Sequence, residues 1–225
     1  ALARTDHNGL YGSMEFAHAA RRVNVQPITG AEVTLRDCFP GVEEPEGGHH
    51  VTLLAETPQG YANLCRLLTE AHMGSERGDT RLALPSLLEL SEGLILLSGC
   101  AQSPVAAAMR SSVADGEAFT RKLLDVFGPG SMFMELQDNA VKGDTARNKT
   151  LARLAGRMGL GVVATSNVHY HRPERHRLQD VLVSIKNRAT LDGAHGARRA
   201  NKLFHLPEPW DMRHRFESRP EALTN

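Results

Sequence analysis

Two short stretches, Gly93–Ser98 (GLILLS) and Gly161–Thr165 (GVVAT), run apolar almost without a break and are followed by polar, chemistry-bearing residues. A strand with water on one face alternates in polarity. A strand that does not alternate has to be covered on both faces. The chain between such runs reads as helix, so the pattern predicts an α/β fold in which helices cover a parallel sheet. The number of strand–helix units favours a closed or nearly closed barrel, with an open doubly wound sheet second. In either arrangement chemistry is expected at the C-terminal ends of the strands.

Reading along the chain, Leu2–Thr5 is the end of a short strand, His7-Asn8-Gly9 a turn, and Leu10, Met14 and Ala17 the stripe of a helix reaching Arg22. Pro27–Leu35 and His50–Ala55 read as strands on either side of an acidic loop rich in Pro and Gly, residues 37–48. Thr57 caps a helix with Pro58 in its first turn and Tyr61, Leu64, Leu68 and Ala71 along it. Helices follow over Pro104–Arg110, Asp115–Phe127, Thr145–Met158 and Pro173–Lys186, with a strand over Met132–Leu136. Leu178, Leu182 and Ile185 share one side of the last helix. No repeat of fixed period is present.

Composition excludes several classes. With 225 residues, 41% of them hydrophobic, and with 26 basic against 26 acidic side chains, the chain is an ordinary globular one. It carries no bulk charge for wholesale polyanion binding. No apolar run approaches the ~20 residues of a membrane helix, and no secretory signal opens the chain. Three dispersed cysteines, Cys38, Cys65 and Cys100, fit reduced thiols in the cytoplasm better than a disulfide frame. Phosphate-loop, nucleophile-elbow and dinucleotide-binding motifs are absent. The first residues are already apolar, and PEALTN reads as the start of a helix, so the sequence is expected to be part of a longer chain.

The unusual number is eleven histidines. Asp6 and His7 follow the first strand, Glu32 lies in the second, Cys100 follows GLILLS, and Asn167 and His169 follow GVVAT. His50 opens its strand instead of closing it and fits the strand-end rule less well; His49 is an alternative. Taken singly, each has a plain reading: a turn signal for Asp6–Gly9, an edge histidine, an ion-paired Glu32, a small buried Cys100, a turn Asn167. Their shared position at strand ends is what points to a site. Imidazole, carboxylate and thiol together suit Zn, Mn or Fe better than Mg or Ca, and two or more such ions would activate water and clamp a phosphate.

Five stretches in order, Arg4–Gly12 (RTDHNGLYG), Pro27–Glu32 (PITGAE), His50–Ala55 (HVTLLA) with Gly60–Cys65 (GYANLC), Leu97–Cys100 (LSGC) and Val163–Tyr170 (VATSNVHY), resemble the polymerase-and-histidinol-phosphatase (PHP) domain at the N-terminus of bacterial C-family DNA polymerases, the DNA polymerase III alpha subunits. Arg177–Leu182 (RLQDVL) and the tail with Met212, Phe216 and Pro220 look like the error-prone branch. The resemblance implies a distorted (β/α)7 barrel, here lacking its first strand, over residues 1–190, with 191–225 leading toward the polymerase domain. It implies divalent metal ions (Zn, Mn or Fe) held by His7, Glu32, His50, Cys100, Asn167 and His169, with Asp6 orienting His7 from behind. Two departures stand out: the family's opening His-x-His strand is absent, and Asn occupies position 167 where metal-binding relatives often carry Asp. A fully loaded three-metal site is therefore not expected. The implied activity is phosphoester hydrolysis or proofreading, or a scaffold role, within a polymerase of replication and damage-tolerant synthesis. Its implied partners are DNA, the other polymerase domains and replisome or translesion accessory proteins, with no membrane. A free-standing phosphatase of the histidinol-phosphatase type is the alternative. From Arg172 to Lys202, eight basic residues face three acidic ones, and Arg172, Arg175, Arg177, Lys186 and Arg188 are candidate contacts to nucleic acid or a partner.

Overall fold

The structure, a computed structural model, describes every residue except 43, 46 and 225. Two of these fall in the acidic loop expected over residues 37–48 and one ends the expected C-terminal helix start; those positions lie outside the described residues. The chain forms two compact units, Ala1–Glu135 with Arg153–Gly161, and Leu136–Ala152 with Val162–Asn225.

The first unit contains β1 (Leu2–His7), α1 (Ser13–Arg22), β2 (Pro27–Arg36), β3 (His49–Ala55), α2 (Pro58–Met73), β4 (Leu82–Ala83), α3 (Leu84–Glu89), β5 (Leu94–Leu97), α4 (Pro104–Ser111) and α5 (Val113–Phe127), and most of β6 (Met132–Gln137). The α/β class expected from the sequence is what is found. Strands lie in the order β1-β2-β3-β5-β6, with β4 also on β2. An all-parallel sheet is not found: β1–β2, β2–β4 and β5–β6 are parallel, but β3 runs antiparallel to both β2 and β5. The reason is the connection. Between β2 and β3 the described chain forms turns and loop but no helix to carry it across the sheet, so the chain returns beside β2 in the opposite direction.

Helix starts follow the sequence signals. The Thr57 hydroxyl accepts from Gly60 N at 3.0 Å and the Ser103 hydroxyl from Ala106 N at 3.1 Å, each just ahead of a proline in the first turn. Gly60 is needed for close approach: a Cβ there would sit 1.7 Å from the Gly93 carbonyl oxygen, the same oxygen that accepts from Glu56 N at 3.0 Å. The core is leucine-rich, with Leu35, Leu53, Leu64, Leu67, Leu82, Leu87, Leu94 and Leu96 fully buried between sheet and helices. The β4–α3 segment, LALPSLLE, was not anticipated as an element; its Leu82, Leu84 and Leu87 belong to this core.

The second unit includes β7 (Gly161–Thr165, from Val162 on), α7 (His176–Lys186) and α8 (Pro209–Arg215); α6 (Asp144–Met158) contributes residues to both units. The helix expected from Pro173 opens as a 3-10 turn over Pro173–Arg175 before α7 begins. Leu178, Leu182 and Ile185 are indeed on one side of α7, and all three are exposed. Asn139 Nδ2 donates to the Leu203 carbonyl at 2.9 Å and Asn201 Nδ2 to the Asn139 carbonyl at 2.8 Å, tying the C-terminal segment to the loop after β6. Among the described residues no helix is long and apolar enough to cross a membrane.

Candidate functional site

β1 ends level with Glu32, because its parallel register pairs His7 with Glu32. The antiparallel register of β3 places Thr52 opposite Glu32 and His50 opposite Thr34. Side chains two apart on a strand share a face, so Glu32, Thr34, Thr52 and His50 all project to the same side. The apparent exception among the candidate residues is thereby resolved. His50 opens its strand, but that strand is reversed, so its start lies beside the ends of its neighbours.

Glu32 is the centre of the cluster. Its Oε1 lies 3.1 Å from His7 Nδ1 and 3.0 Å from His50 Nδ1, and the two imidazole centroids are 5.9 Å apart. Cys100 Sγ is 3.8 Å from His50 Nδ1 and accepts from Gln102 N at 3.4 Å. Cys100 is brought there by Gly99, at φ +90°, where a Cβ would lie 2.1 Å from the His50 carbonyl oxygen. Only glycine satisfies both demands. Gly99 N donates to the buried carboxylate of Glu135 at 3.1 Å, while Glu135 N donates to the Ser98 hydroxyl at 2.9 Å.

His50 Nε2 faces the Gly47 carbonyl at 3.0 Å, and Nδ1 faces the Glu32 carboxylate. Both neighbours accept, so a ring protonated on both nitrogens can donate to each of them. Burial works against that charge, but Cys100 and Glu32 outweigh it and raise the His50 pKa to about 10. Burial likewise pushes the Glu32 carboxyl up, yet hydrogen bonds and charge from His50 and His7 hold it far below the usual carboxylate range.

The donor set is chemically that of a site for a borderline divalent ion. As the side chains stand, the described residues form no group of three or more His, Cys, Asp and Glu arranged to hold a metal ion. The ring nitrogens instead point N–H bonds at Glu32, which makes the cluster a hydrogen-bonded one.

Four expected residues, His7, Glu32, His50 and Cys100, thus meet within the first unit. Asp6 Oδ2 accepts from Arg4 Nε at 3.0 Å and from Gly12 N at 3.3 Å. Asn167, half-buried, and His169 lie in the second unit, where His169 N donates to the Phe204 carbonyl at 2.8 Å and Nε2 sits 2.6 Å from Arg199 Nη2. Arg172, Arg175, Arg177, Lys186 and Arg188 are all exposed.

Sequence reasoning missed what anchors His7. Asn8 has φ +48°; its side chain accepts from Thr34 N at 2.8 Å and donates to Thr34 Oγ1 at 2.9 Å and the Thr80 carbonyl at 3.2 Å. His72 Nε2 lies 2.7 Å from the Asn8 carbonyl oxygen. The signal was present in His7-Asn8-Gly9, read only as a turn. The partners, 26 to 72 residues away, were not.

An α/β domain that gathers imidazole, carboxylate and thiol groups around one strand edge defines a class, that of domains built on a metal-ligand-type cluster. The description "PHP domain" matches residues 1–139, and the chain belongs to that family. It is 38% identical over its whole length to an error-prone DNA polymerase of Symbiobacterium thermophilum and 37% identical to one of Mycolicibacterium paratuberculosis. Against the DNA polymerase III subunit alpha of Thermus aquaticus, 34% identity extends over 95% of this chain. It covers 21%, 21% and 18% of those three proteins, about a fifth of their length. A solved structure described as a metal-dependent phosphoesterase of Bifidobacterium adolescentis aligns over 72% of this chain and 74% of its own, with TM-score 0.41 and 12% identity, too distant to carry an argument.

Proposed function

We propose that the chain is the PHP part of a C-family DNA polymerase of the error-prone type and that it supports damage-tolerant DNA synthesis. In this reading the family domain runs to residue 190, and residues 191–225 lead toward the polymerase body and its DNA. Length favours this over a free-standing phosphatase, since the relatives matched are about five times as long as the chain.

The cluster is proposed as the place where a divalent ion, Zn, Mn or Fe, is held by His7, Glu32, His50 and Cys100. The observation that carries it is Glu32 set within 3.1 Å of both His7 and His50. An ion there supplies Lewis acidity for phosphoester hydrolysis. The protein's own part is to hold donors of matched softness on one strand edge and keep Cys100 buried beside them. Elemental analysis of the protein, purified without chelator, tests this. About one equivalent or more of Zn, Mn or Fe, lost in Glu32→Gln together with manganese-stimulated phosphoesterase activity, is the expected result. Metal content below about one equivalent in wild type removes the catalytic reading.

A second reading is favoured by His50: a ring donating through both nitrogens has no lone pair for a metal. On this reading the cluster is an ion-paired brace of a scaffold domain. The same elemental analysis separates the two.

A further inference from the structure

The second unit carries a cationic groove that neither the family match nor the metal cluster accounts for. A cavity of about 590 Å³ opens between α7 and the segment that follows it, with Arg198, Arg199 and Lys202 in its wall and Asp180 as its acidic member. A smaller cavity of about 290 Å³, reaching Arg177 and Glu174, adjoins it and shares His176 and Lys202. Together they make one depression lined by Arg177, Arg198, Arg199 and Lys202.

Two of its arginines are held in place. Arg198 Nη1 is 3.5 Å from Asp180 Oδ2 and Nη2 is 2.8 Å from His195 Nδ1. Arg199 Nη2 is 2.6 Å from His169 Nε2, and its guanidinium carbon lies 5.1 Å from the centroid of the Phe204 ring. Among the described residues the buried Arg198 Nε–H has no acceptor, a deficit that an anionic oxygen or a water it orders would fill. Fixed guanidinium groups recognise phosphate with little ordering cost. Two imidazoles, His176 and His195, also line the groove, flat rings of the kind on which bases stack. A single bound phosphate would need one pocket with converging donors. Four cations and two imidazoles shared between two adjoining cavities match a chain of phosphates whose bases are unpaired.

We propose that this groove binds the sugar–phosphate backbone of a single nucleic-acid strand. The assignment differs from the sequence expectation: of the five cations expected as contacts, only Arg177 lines the groove. It does not draw on His7, Glu32, His50 or Cys100, although Arg199 contacts His169, which the sequence offered as a metal ligand.

The test is fluorescence anisotropy of a labelled oligothymidylate of roughly 12 nucleotides with the 225-residue chain, a length in the range single-strand sites cover. One phosphate contact from each of the groove cations Arg177, Arg199 and Lys202 predicts a slope of log K against log salt of about −2. Affinity should then fall about 20-fold between roughly 50 and 200 mM salt. Arg177→Glu and Lys202→Glu should each weaken binding at least about fivefold and flatten the slope by about 0.7, one phosphate contact each. Lys149→Glu, the same charge change on an exposed residue of the same unit outside the groove, should bind as wild type. Both groove variants should keep the wild-type metal content, and Glu32→Gln should keep its oligonucleotide binding, so failure here and failure of the metal reading are told apart. Equal weakening in all three lysine and arginine variants would mean net charge alone and overturn the proposal. So would absence of binding at low salt, equal binding of duplex DNA, or equal competition by inorganic phosphate or an acidic peptide.

Discussion

Replacing Glu32 by glutamine keeps the shape of the central side chain and removes its charge. His50 and Glu32 have side chains only 13% and 16% exposed, so their interaction is poorly screened. The rise of the His50 pKa from 6.5 to about 10, at about 1.4 kcal/mol per pH unit, bounds the whole stabilisation of the charged ring at about 5 kcal/mol. Cys100 shares that effect, and an amide oxygen still accepts one hydrogen bond, so about 2 kcal/mol falls to the Glu32 charge. His7 adds little, because its side chain is 55% exposed and exposed pairs are worth about 0–1 kcal/mol. The sign of the pH dependence follows from the direction of each shift. A histidine whose folded pKa is raised contributes fully below its unfolded value, about 6.5, and loses the contribution as pH rises through about 10. Glu32, whose pKa is depressed, contributes above its ordinary value and loses the contribution as pH falls through the folded one. The deficit of Glu32→Gln should therefore be largest between about pH 4.5 and 6.5, where both contributions are full, and shrink toward both extremes. Urea unfolding of chelator-treated protein, followed by circular dichroism from about pH 4 to 10.5, measures it. A deficit below about 0.5 kcal/mol at pH 7, or one equal at pH 7 and 10.5, would refute the reasoning.

Other outcomes follow from the same geometry. Gly60→Ala should destabilise by at least about 2 kcal/mol, since its Cβ meets the Gly93 carbonyl; Gly156→Ala, in the open on α6, should stabilise by about 0.5–1 kcal/mol, and thermal melts of the pair read the contrast. Asn8→Ala should cost about 2–4 kcal/mol by losing three hydrogen bonds at a positive φ, and Asn8→Gly less, because glycine tolerates that conformation. Burial raises the Cys38 thiol to about 12, so the folded state keeps a proton that the unfolded chain releases above about pH 8.5. Wild-type stability should fall with pH beyond that point, by a slope that Cys38→Ala removes. Leu53→Ala, at a fully buried position of β3, should cost about 2–5 kcal/mol by denaturant unfolding.

Much of the molecule was legible before any coordinates. Apolar runs without alternation announced β5 and the place of β7, although in β7 Val162 alone is buried, and Thr57-Pro58 and Pro104 announced where α2 and α4 begin, because burial period and end signals are written within a few neighbouring residues. His7 and Cys100 stood out as candidates because each follows a strand, whereas Glu32 lies within its strand and His50 opens one, so the strand-end rule alone did not select them.

Tertiary structure decided the rest. Hydrophobic pattern records which residues are covered and says nothing about the direction of a strand, so the reversal of β3 that carries His50 to Glu32 appeared only when the hydrogen-bond register was in view. Asn8 reaches Thr34 and Thr80, and Arg198 reaches Asp180, across stretches of chain that local preference does not connect. The protonated state of His50 depends on two acceptors from separate segments meeting one ring. Such pairings are settled by packing and charge among residues distant in sequence, which no local run of residues encodes.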